Sequence, residues 1–527
     1  MKSLKNNIVS ASFGTLLSKL FGFARQVLIA ATFGVGITYD AYNYAYIIPG
    51  FLVIIIGGIN GPLHNAIVTV LTPLNSIKAS QILKKVSFKI TFILLIIGLV
   101  VYLNAFQLIS ILGPNLNIEI KEIAAHQLRI LSPCIPLSGF IGLSFGALNS
   151  KNKFFISSLS PSVISLVTII FISLNWLASF QKESSNIENN FELLALATLT
   201  GTLIQFTIQI FEIFKIGLFN GKIIWGNFFE EEQRIFRLII PASLASGLGQ
   251  INVFIDMFFV SGFRGAASGL AYGNFLIQAP LGVLSNALIL PLLPRFSKLV
   301  SNKETQKLQA SLISGIEYCL LATFFFTGIF ISFNQQIVEL IFQRGFFSAE
   351  ATSTVRKILI AYSVGMPFYL LRDFLIRTYY CIERAKLPFK LSILGIVLNI
   401  LFDWILIGAP ITSLGNLLPY NFGVVGIVIS TGLVNLIICL ILSNSLKDNN
   451  IQIPNIFLLK KVIFIIISCG ISSSISSSLI NNSYNSQSYL IFKFLYLLLG
   501  SAIFFMIYFV LTKLLNVNRI NFDLLKS

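Results

Sequence analysis

Charge is what this chain has least of. Only 11% of its 527 residues are Asp, Glu, Lys or Arg, against about 25% in soluble domains, and that shortfall excludes an ordinary soluble protein. Histidine is nearly absent, with His64 and His126 alone, and no H-E-x-x-H occurs, so the commonest catalytic zinc helix is missing. No G-x-x-x-x-G-K-[ST] loop is present, which excludes nucleotide hydrolysis by that route. The five cysteines (Cys134, Cys319, Cys381, Cys439 and Cys469) are odd in number and lack C-x-x-C spacing. They read as small apolar packing residues rather than a disulfide framework or metal ligands. No catalytic constellation, cofactor or metal is expected, and the chain is read as not an enzyme. Long polar stretches are missing too. The longest, "FQKESSNIENN" (180–190) and "NNSYNSQS" (481–488), leave no room for a large soluble domain.

What the chain does have is apolar sequence. Hydrophobic residues make up 55% of it and the mean hydropathy is +0.85. The apolar residues fall in blocks of roughly 20–30, the signature of membrane-spanning helices rather than of a barrel. Fourteen spans are expected, near 6–33, 40–72, 86–112, 123–149, 155–179, 191–217, 235–262, 267–296, 310–334, 352–381, 388–410, 419–444, 457–480 and 488–513. The first is read as a retained helix, because Lys19 and Arg25 interrupt what would be the core of a cleavable signal.

The net charge of +17 needs no nucleic-acid partner. Lysines and arginines gather in alternate loops, such as Lys78, Lys84, Lys85 and Lys89, then Lys151 and Lys153, then Arg384, Lys386 and Lys390. The positive-inside rule then places those loops and both termini in the cytoplasm, which an even number of spans satisfies.

The first six spans resemble the next six. "DAYNYAYIIPGFLV" (40–53) aligns with "LAYGNFLIQAPLGVL" (270–284), with Pro49 on Pro280, an offset of 231 (280 − 49). The basic loop "NSKNKFF" (149–155) falls on "YCIERAK" (380–386) at the same offset. An even number of spans per copy makes the repeat parallel. The expected organisation is a six-helix lobe over 1–225, a second over 226–446, and two further helices with a tail over 447–527.

Polar residues inside the spans are the candidates for function, because a charge at the bilayer centre costs about 2.5–3.5 kcal/mol and persists where it meets protein or water. In "SKLFGFARQ" (18–26), Lys19 and Arg25 lie roughly 9 Å apart along a helix and about 120° apart around it, with Gly22 between them to permit a bend. Arg25 can instead snorkel to an interface. Asp40 opens span two with Asn43 one turn on, and either pairs with Arg25 or is solvated in a loop. "GGINGP" (57–62) sets Gly57, Gly58, Asn60, Gly61 and Pro62 where a helix should loosen, with close helix packing as the plainer reading. Gly249, Asn252 and Asp256 form a stripe in span seven, and Asn274, Gln278 and Ser285 another in span eight. Arg372 and Asp373 sit in span ten, where they also suit structural pairing between helices. A hydrated, cationic interior suits an amphiphile with an anionic phosphate head. Asp40, Asp256, Asp373 and Asp403 are candidate ion-linked acids, and nothing in the residues selects among them.

At these residues the sequence resembles the MurJ (MviN) family of lipid II flippases, within the multidrug/oligosaccharidyl-lipid/polysaccharide exporter superfamily. The resemblance lies in "SKLFGFARQVLIAATFG" with Asp40-Ala41 and Ile48-Pro49 following, then in "APLGVLSNALILPLLP" (279–294), "FQRGFF" (342–347) and "LIAYSVG" (359–365). It implies two lobes around a V-shaped cavity and a groove from the last two helices for an undecaprenyl tail. It also implies alternating access that moves an undecaprenyl-pyrophosphate-linked peptidoglycan precursor from the inner to the outer leaflet of a bacterial cytoplasmic membrane. The expected partners are that lipid and the membrane lipids, with the chain a monomer. Lys19, Arg25 and Asp40 match cationic and acidic positions of the family, and the cavity set is completed by Asn43, Asn60, Asn274, Gln278 and Arg372. Val53, Ile54 and Phe275 stand where many members carry arginines, and Gln278 where many carry a glutamate. Export of another polyprenyl-linked oligosaccharide, or a scaffold for envelope synthesis, therefore stays open.

Overall fold

A computed structural model describes residues 2–57, 61–182, 190–219, 230–408, 421–449, 451, 455–481 and 490–515. Every element among them is helical. Among the described residues twelve helices are long and apolar enough to cross a membrane, and a bent pair is a thirteenth if counted as one span. The remaining expected span is present as a helix whose apolar stretch, Ser162–Ala178, is at the short end for crossing. The chain is a multi-pass helical membrane protein, and the fourteen expected spans each find a helical counterpart. It divides into two compact units, residues 1–268 with 345–347, and 269–344 with 348–527.

Unit 1 begins with α1 (Lys2–Phe33), which ends at Gly34 in the left-handed conformation, φ +55°, a common helix stop. Next come α2 (Ile37–Leu52), α3 (Pro62–Leu71), α4 (Ser76–Leu103), α5 (Ala105–Leu112), α6 (Ile118–Leu131) and α7 (Cys134–Ser150). The unit continues through α8 (Phe154–Leu159), α9 (Ser162–Lys182), α10 (Leu193–Lys215) and α11 (Glu230–Val260). The Asn75 side chain caps α4 by accepting from Lys78 N–H. α6 and α7 form the bent pair, 44° apart, and α7 runs through the middle of the unit, packed on α3, α4 and α10. Small residues allow that approach. A Cβ on Gly139 would lie 2.3 Å from Leu94, and one on Gly146 2.6 Å from Ile67. Ion pairs hold the start of α11 on α4: Lys78 with Glu231 at 2.5 Å, and Lys85 (3.0 Å) and Lys89 with Glu232.

Unit 2 takes in α12 (Ala266–Leu284) from Gly269 onward, α13 (Leu290–Ser301), α14 (Thr305–Ser332), α15 (Asn334–Phe342) and α16 (Ala349–Cys381). It ends with α17 (Lys386–Ile407), α18 (Val424–Ser445), α19 (Asn455–Asn481) and α20 (Leu490–Leu514). Here α16 is the central helix, capped by the Ser348 hydroxyl and packed on α14 and α18. Gly365 and Gly432 let α16 and α18 meet backbone to backbone. Lys461 of α19 pairs with Glu317 of α14 at 2.5 Å, fastening the appended helices.

The order of elements repeats along the chain. α4 and α14 start at Ser76 and Thr305, an offset of 229 (305 − 76), and α5 and α15 start at Ala105 and Asn334, the same offset. Both copies of the aligned proline, Pro49 and Pro280, sit in helices that run into a π-helical turn, over Val53–Gly57 and Ser285–Ile289. Such turns loosen the backbone ladder and recur at functional sites. Around "GGINGP" the described residues show α-helix giving way to π-helix over Val53–Gly57 and a new helix starting at Pro62, with Gly61 extended before it.

Candidate functional site

α1 passes through Gly22 without interruption, so the helix needs no break to present its two cations. A Cβ on Gly22 would meet nothing within 4 Å. Lys19 is exposed and makes no ion pair among the described residues. Arg25 is half-buried. Its Nε is buried with no hydrogen-bond acceptor among the described residues, and its charge reaches the phenols of Tyr39, Tyr42 and Tyr46 on α2. A guanidinium held this way keeps hydrogen-bonding capacity that the described residues do not meet.

Asp40 takes neither of the roles open to it from sequence. Its carboxylate is 2% exposed and accepts three hydrogen bonds, from Gly265 N (2.6 Å), Ser268 N (2.8 Å) and Ser268 Oγ (2.7 Å). Those donors belong to the first turn of α12, where the helix dipole favours an anion. Asp40 is thus a helix cap supplied from far along the chain. Asn43 turns back on its own helix and donates to Tyr39 O at 2.7 Å.

A second long-range contact closes the end of α1. Phe346 N–H donates to Ala31 O at 2.8 Å. Gly34 and Gly345 both have positive φ, +55° and +57°. A Cβ on Gly34 would lie 2.4 Å from Phe346 O, and one on Gly345 2.2 Å from Ala31 O. Only glycine fits either place. Phe347 is buried beside this contact, which explains why "RGFF" stands where it does.

In unit 2, Asn274 and Gln278 are exposed neighbours on α12, with Gln278 Nε2 donating to Asn274 Oδ1 at 3.3 Å. Arg372 does not pair with Asp373. Its Nη1 donates to Asn435 Oδ1 of α18 at 2.9 Å, and its Nε is buried without an acceptor among the described residues. Asp373 pairs with Arg377 at 3.0 Å and accepts from Ser285. Asp403 is fully buried on α17 and accepts from Asn399 one turn away. The structure thus brings Arg25, Asp40 and Asn43 close together in unit 1, and Asn274 with Gln278 in unit 2. Of the flexible set, Gly57 closes the π-helical turn, while Gly58 and Asn60 lie outside the described residues.

Unit 2 also carries a groove, of which the resemblance implied a version built from the last two helices. It measures about 440 Å³ and runs between α13, α14 and α20. Phe325, Phe326, Phe505 and Phe509 line one end, and Arg295 with Ser311, Ser314 and Thr512 the other. It is apolar along most of its length and cationic at one mouth, which suits a lipid chain with an anionic head. Of the last two helices, only α20 contributes to the residues lining it.

A family profile described as lipid II flippase MurJ matches residues 29–497. A probable lipid II flippase MurJ of Synechocystis sp. is 37% identical over 440 residues, spanning 82% of this chain and 80% of its own. A second, from Buchnera aphidicola subsp. Schizaphis graminum, is 28% identical over 413 residues, spanning 77% of this chain and 78% of its own. Among solved structures, a lipid II flippase MurJ in an inward closed conformation superposes with a TM-score of 0.76, covering 96% of this chain and 99% of that one at 24% identity. That last likeness is one of fold.

Proposed function

The chain belongs to the MurJ family of lipid II flippases, and from that membership we propose that it carries lipid II, the lipid-linked peptidoglycan precursor, from the inner to the outer leaflet of a bacterial cytoplasmic membrane. The observation that carries the reading is Arg25: half-buried in the first span, with its Nε lacking an acceptor among the described residues. The charge is retained in spite of its cost and points to an anionic substrate group. The apolar groove of unit 2, with a cation at one mouth, has the character a lipid tail needs.

In this reading both termini are cytoplasmic, as the lysine and arginine loops favour, and the protein acts as a monomer without chemical catalysis. The six-helix lobes are 1–225 and 226–446, with 447–527 appended. The matched π-helical turns support alternating access, with Gly57, Gly58, Gly61 and Pro62 giving way in the first lobe. Lys19, Arg25 and Arg372 supply charge, and Asn43, Asn60, Asn274 and Gln278 supply hydrogen bonds. Asp40 contributes by holding the start of α12.

The test is complementation of a bacterium depleted of its own lipid II flippase, with outer-leaflet lipid II labelled. Wild-type chain restores labelling. Lys19→Ala with Arg25→Ala abolishes it at normal membrane levels. Full rescue by the double variant would refute the cationic mechanism and favour a scaffold. Val53, Ile54 and Phe275, apolar where many members carry arginines, favour one second reading, export of another polyprenyl-linked oligosaccharide. Accumulation of that lipid instead of lipid II would establish it.

A further inference from the structure

Three tyrosines stack along one face of α2. Tyr39 and Tyr42 have ring centroids 6.2 Å apart at 12°, and Tyr42 and Tyr46 5.8 Å apart at 16°. The first two hydroxyls are engaged: Gln26 Nε2 donates to Tyr39 Oη at 2.8 Å, and Tyr42 Oη bonds Thr198 Oγ1 of α10 at 2.8 Å. The third is different. Tyr46 is 39% exposed, and its hydroxyl has no partner among the described residues.

Exposure in a membrane protein ordinarily means lipid, but the surroundings of Tyr46 argue otherwise. The stack faces α1 through Gln26 and α10 through Thr198, and Tyr46 itself lies within electrostatic reach of Arg25 on α1 and of Cys134 on α7. A partly accessible ring that stacks on Tyr42 and feels charges on α1 and α7 lies on the protein side of α2 rather than on its lipid face. Tyr46 also lies nine residues into α2, about 13 Å along its axis, which is deeper than an interfacial anchor sits. A lipid-facing phenol at that depth would leave its hydroxyl unsatisfied.

We propose that Tyr46 is a specificity residue, a rigid aromatic platform for the sugar ring that adjoins the diphosphate of a lipid-linked saccharide, with Arg25 on the diphosphate. The inference rests on the lipid-linked substrate of the preceding section. The apolar CH face of a pyranose packs on the exposed ring, and the free hydroxyl reaches a sugar hydroxyl or amide. The two rings beneath, pinned by Gln26 and Thr198, keep the platform from tilting, so little ordering cost is left for binding. Arg25 lies within electrostatic reach of Tyr46, as a phosphate site must lie near a sugar site when the two groups share one bond.

The experiment measures binding of the purified full-length chain to two probes, lipid II and sugar-free undecaprenyl diphosphate. The expected result is that Tyr46→Leu weakens lipid II about three- to tenfold, the range for loss of an aromatic stack, and leaves undecaprenyl diphosphate within about twofold. Tyr46→Phe keeps most of the lipid II affinity, which also shows that the site tolerates substitution. Arg25→Ala weakens both probes. Equal weakening of both by Tyr46→Leu, or no effect on either, overturns the platform. Failure of the wild-type chain to bind either probe overturns the lipid-linked reading itself, a result distinguishable from both.

Discussion

Gly345→Ala tests the closure at the end of α1 directly. The new methyl would sit 2.2 Å from Ala31 O and 3.1 Å from Ala31 C, where real Cβ contacts stay beyond about 3.0 Å. The backbone must withdraw by about 1 Å, which stretches the 2.8 Å bond from Phe346 N to Ala31 O past useful length. Losing that bond costs about 1 kcal/mol, and more if the groups stay buried and unpaired. Holding alanine at φ +57° adds about 1–2 kcal/mol. The sum is about 2–4 kcal/mol. Thermal melting of the detergent-purified protein should fall by several degrees. Gly34→Ala should match it, because its methyl would strike Phe346 O at 2.4 Å, and the double variant should be less than additive, since both break one contact. Gly22→Ala in the same helix meets only open space and should be neutral or raise stability by up to about 1 kcal/mol. An unchanged melting temperature for Gly345→Ala, or strict additivity with Gly34→Ala, would refute the closure.

Other substitutions probe the remaining contacts. Asp40→Asn replaces an acceptor oxygen with an amide that confronts a backbone N–H of Gly265 or Ser268, and should cost about 2 kcal/mol by melting. Glu232→Gln takes the carboxylate from Lys85, which is only 8% exposed, and should cost about 3 kcal/mol. Adding Lys85→Met should restore much of that loss, and no recovery would mean the pair matters little. Ala322→Trp fills the groove of unit 2 and should lower lipid II transport in reconstituted vesicles with melting unchanged. Normal transport would exclude the groove from the path.

How far the sequence speaks depends on the range of the interaction. Spans are local: lipid leaves backbone groups no partner outside their own helix, so apolar length alone marks them. The repeat was visible through Pro49 and Pro280, and the loosening after Pro49 through its glycines. The partners of Asp40 were not, because Gly265 and Ser268 lie more than 220 residues away and nothing about an aspartate at the start of a helix names them. Arg372 and Asp373 adjoin in sequence yet face different neighbours, Asn435 and Arg377, since successive helix residues point about 100° apart. The residues that line the groove are hidden for another reason, although the resemblance implied a groove from the last two helices. Phe505, Phe509 and Thr512 repeat with the spacing of any lipid-facing stripe, and only α13 and α14 beside them make it a site. Tyr46 was overshadowed by Arg25, because a charge in a span draws attention and an aromatic does not.

The contact between Ala31 and Phe346 also sets an order of assembly. Phe346 is synthesised 315 residues after Ala31 (346 − 31), when most of the chain has already been delivered to the bilayer. Until then α1 ends in a carbonyl that water or headgroups must satisfy, and the place kept for Phe347 stays vacant. Unit 1 therefore cannot reach its final packing as a nascent chain, although its own helices are complete by Val260. Its last three residues to arrive, Gly345–Phe347, come from between two helices of the other unit. A ribosome halted before residue 345 would hold a first unit that is inserted but unfinished, open to proteases and chaperones at the end of its first helix.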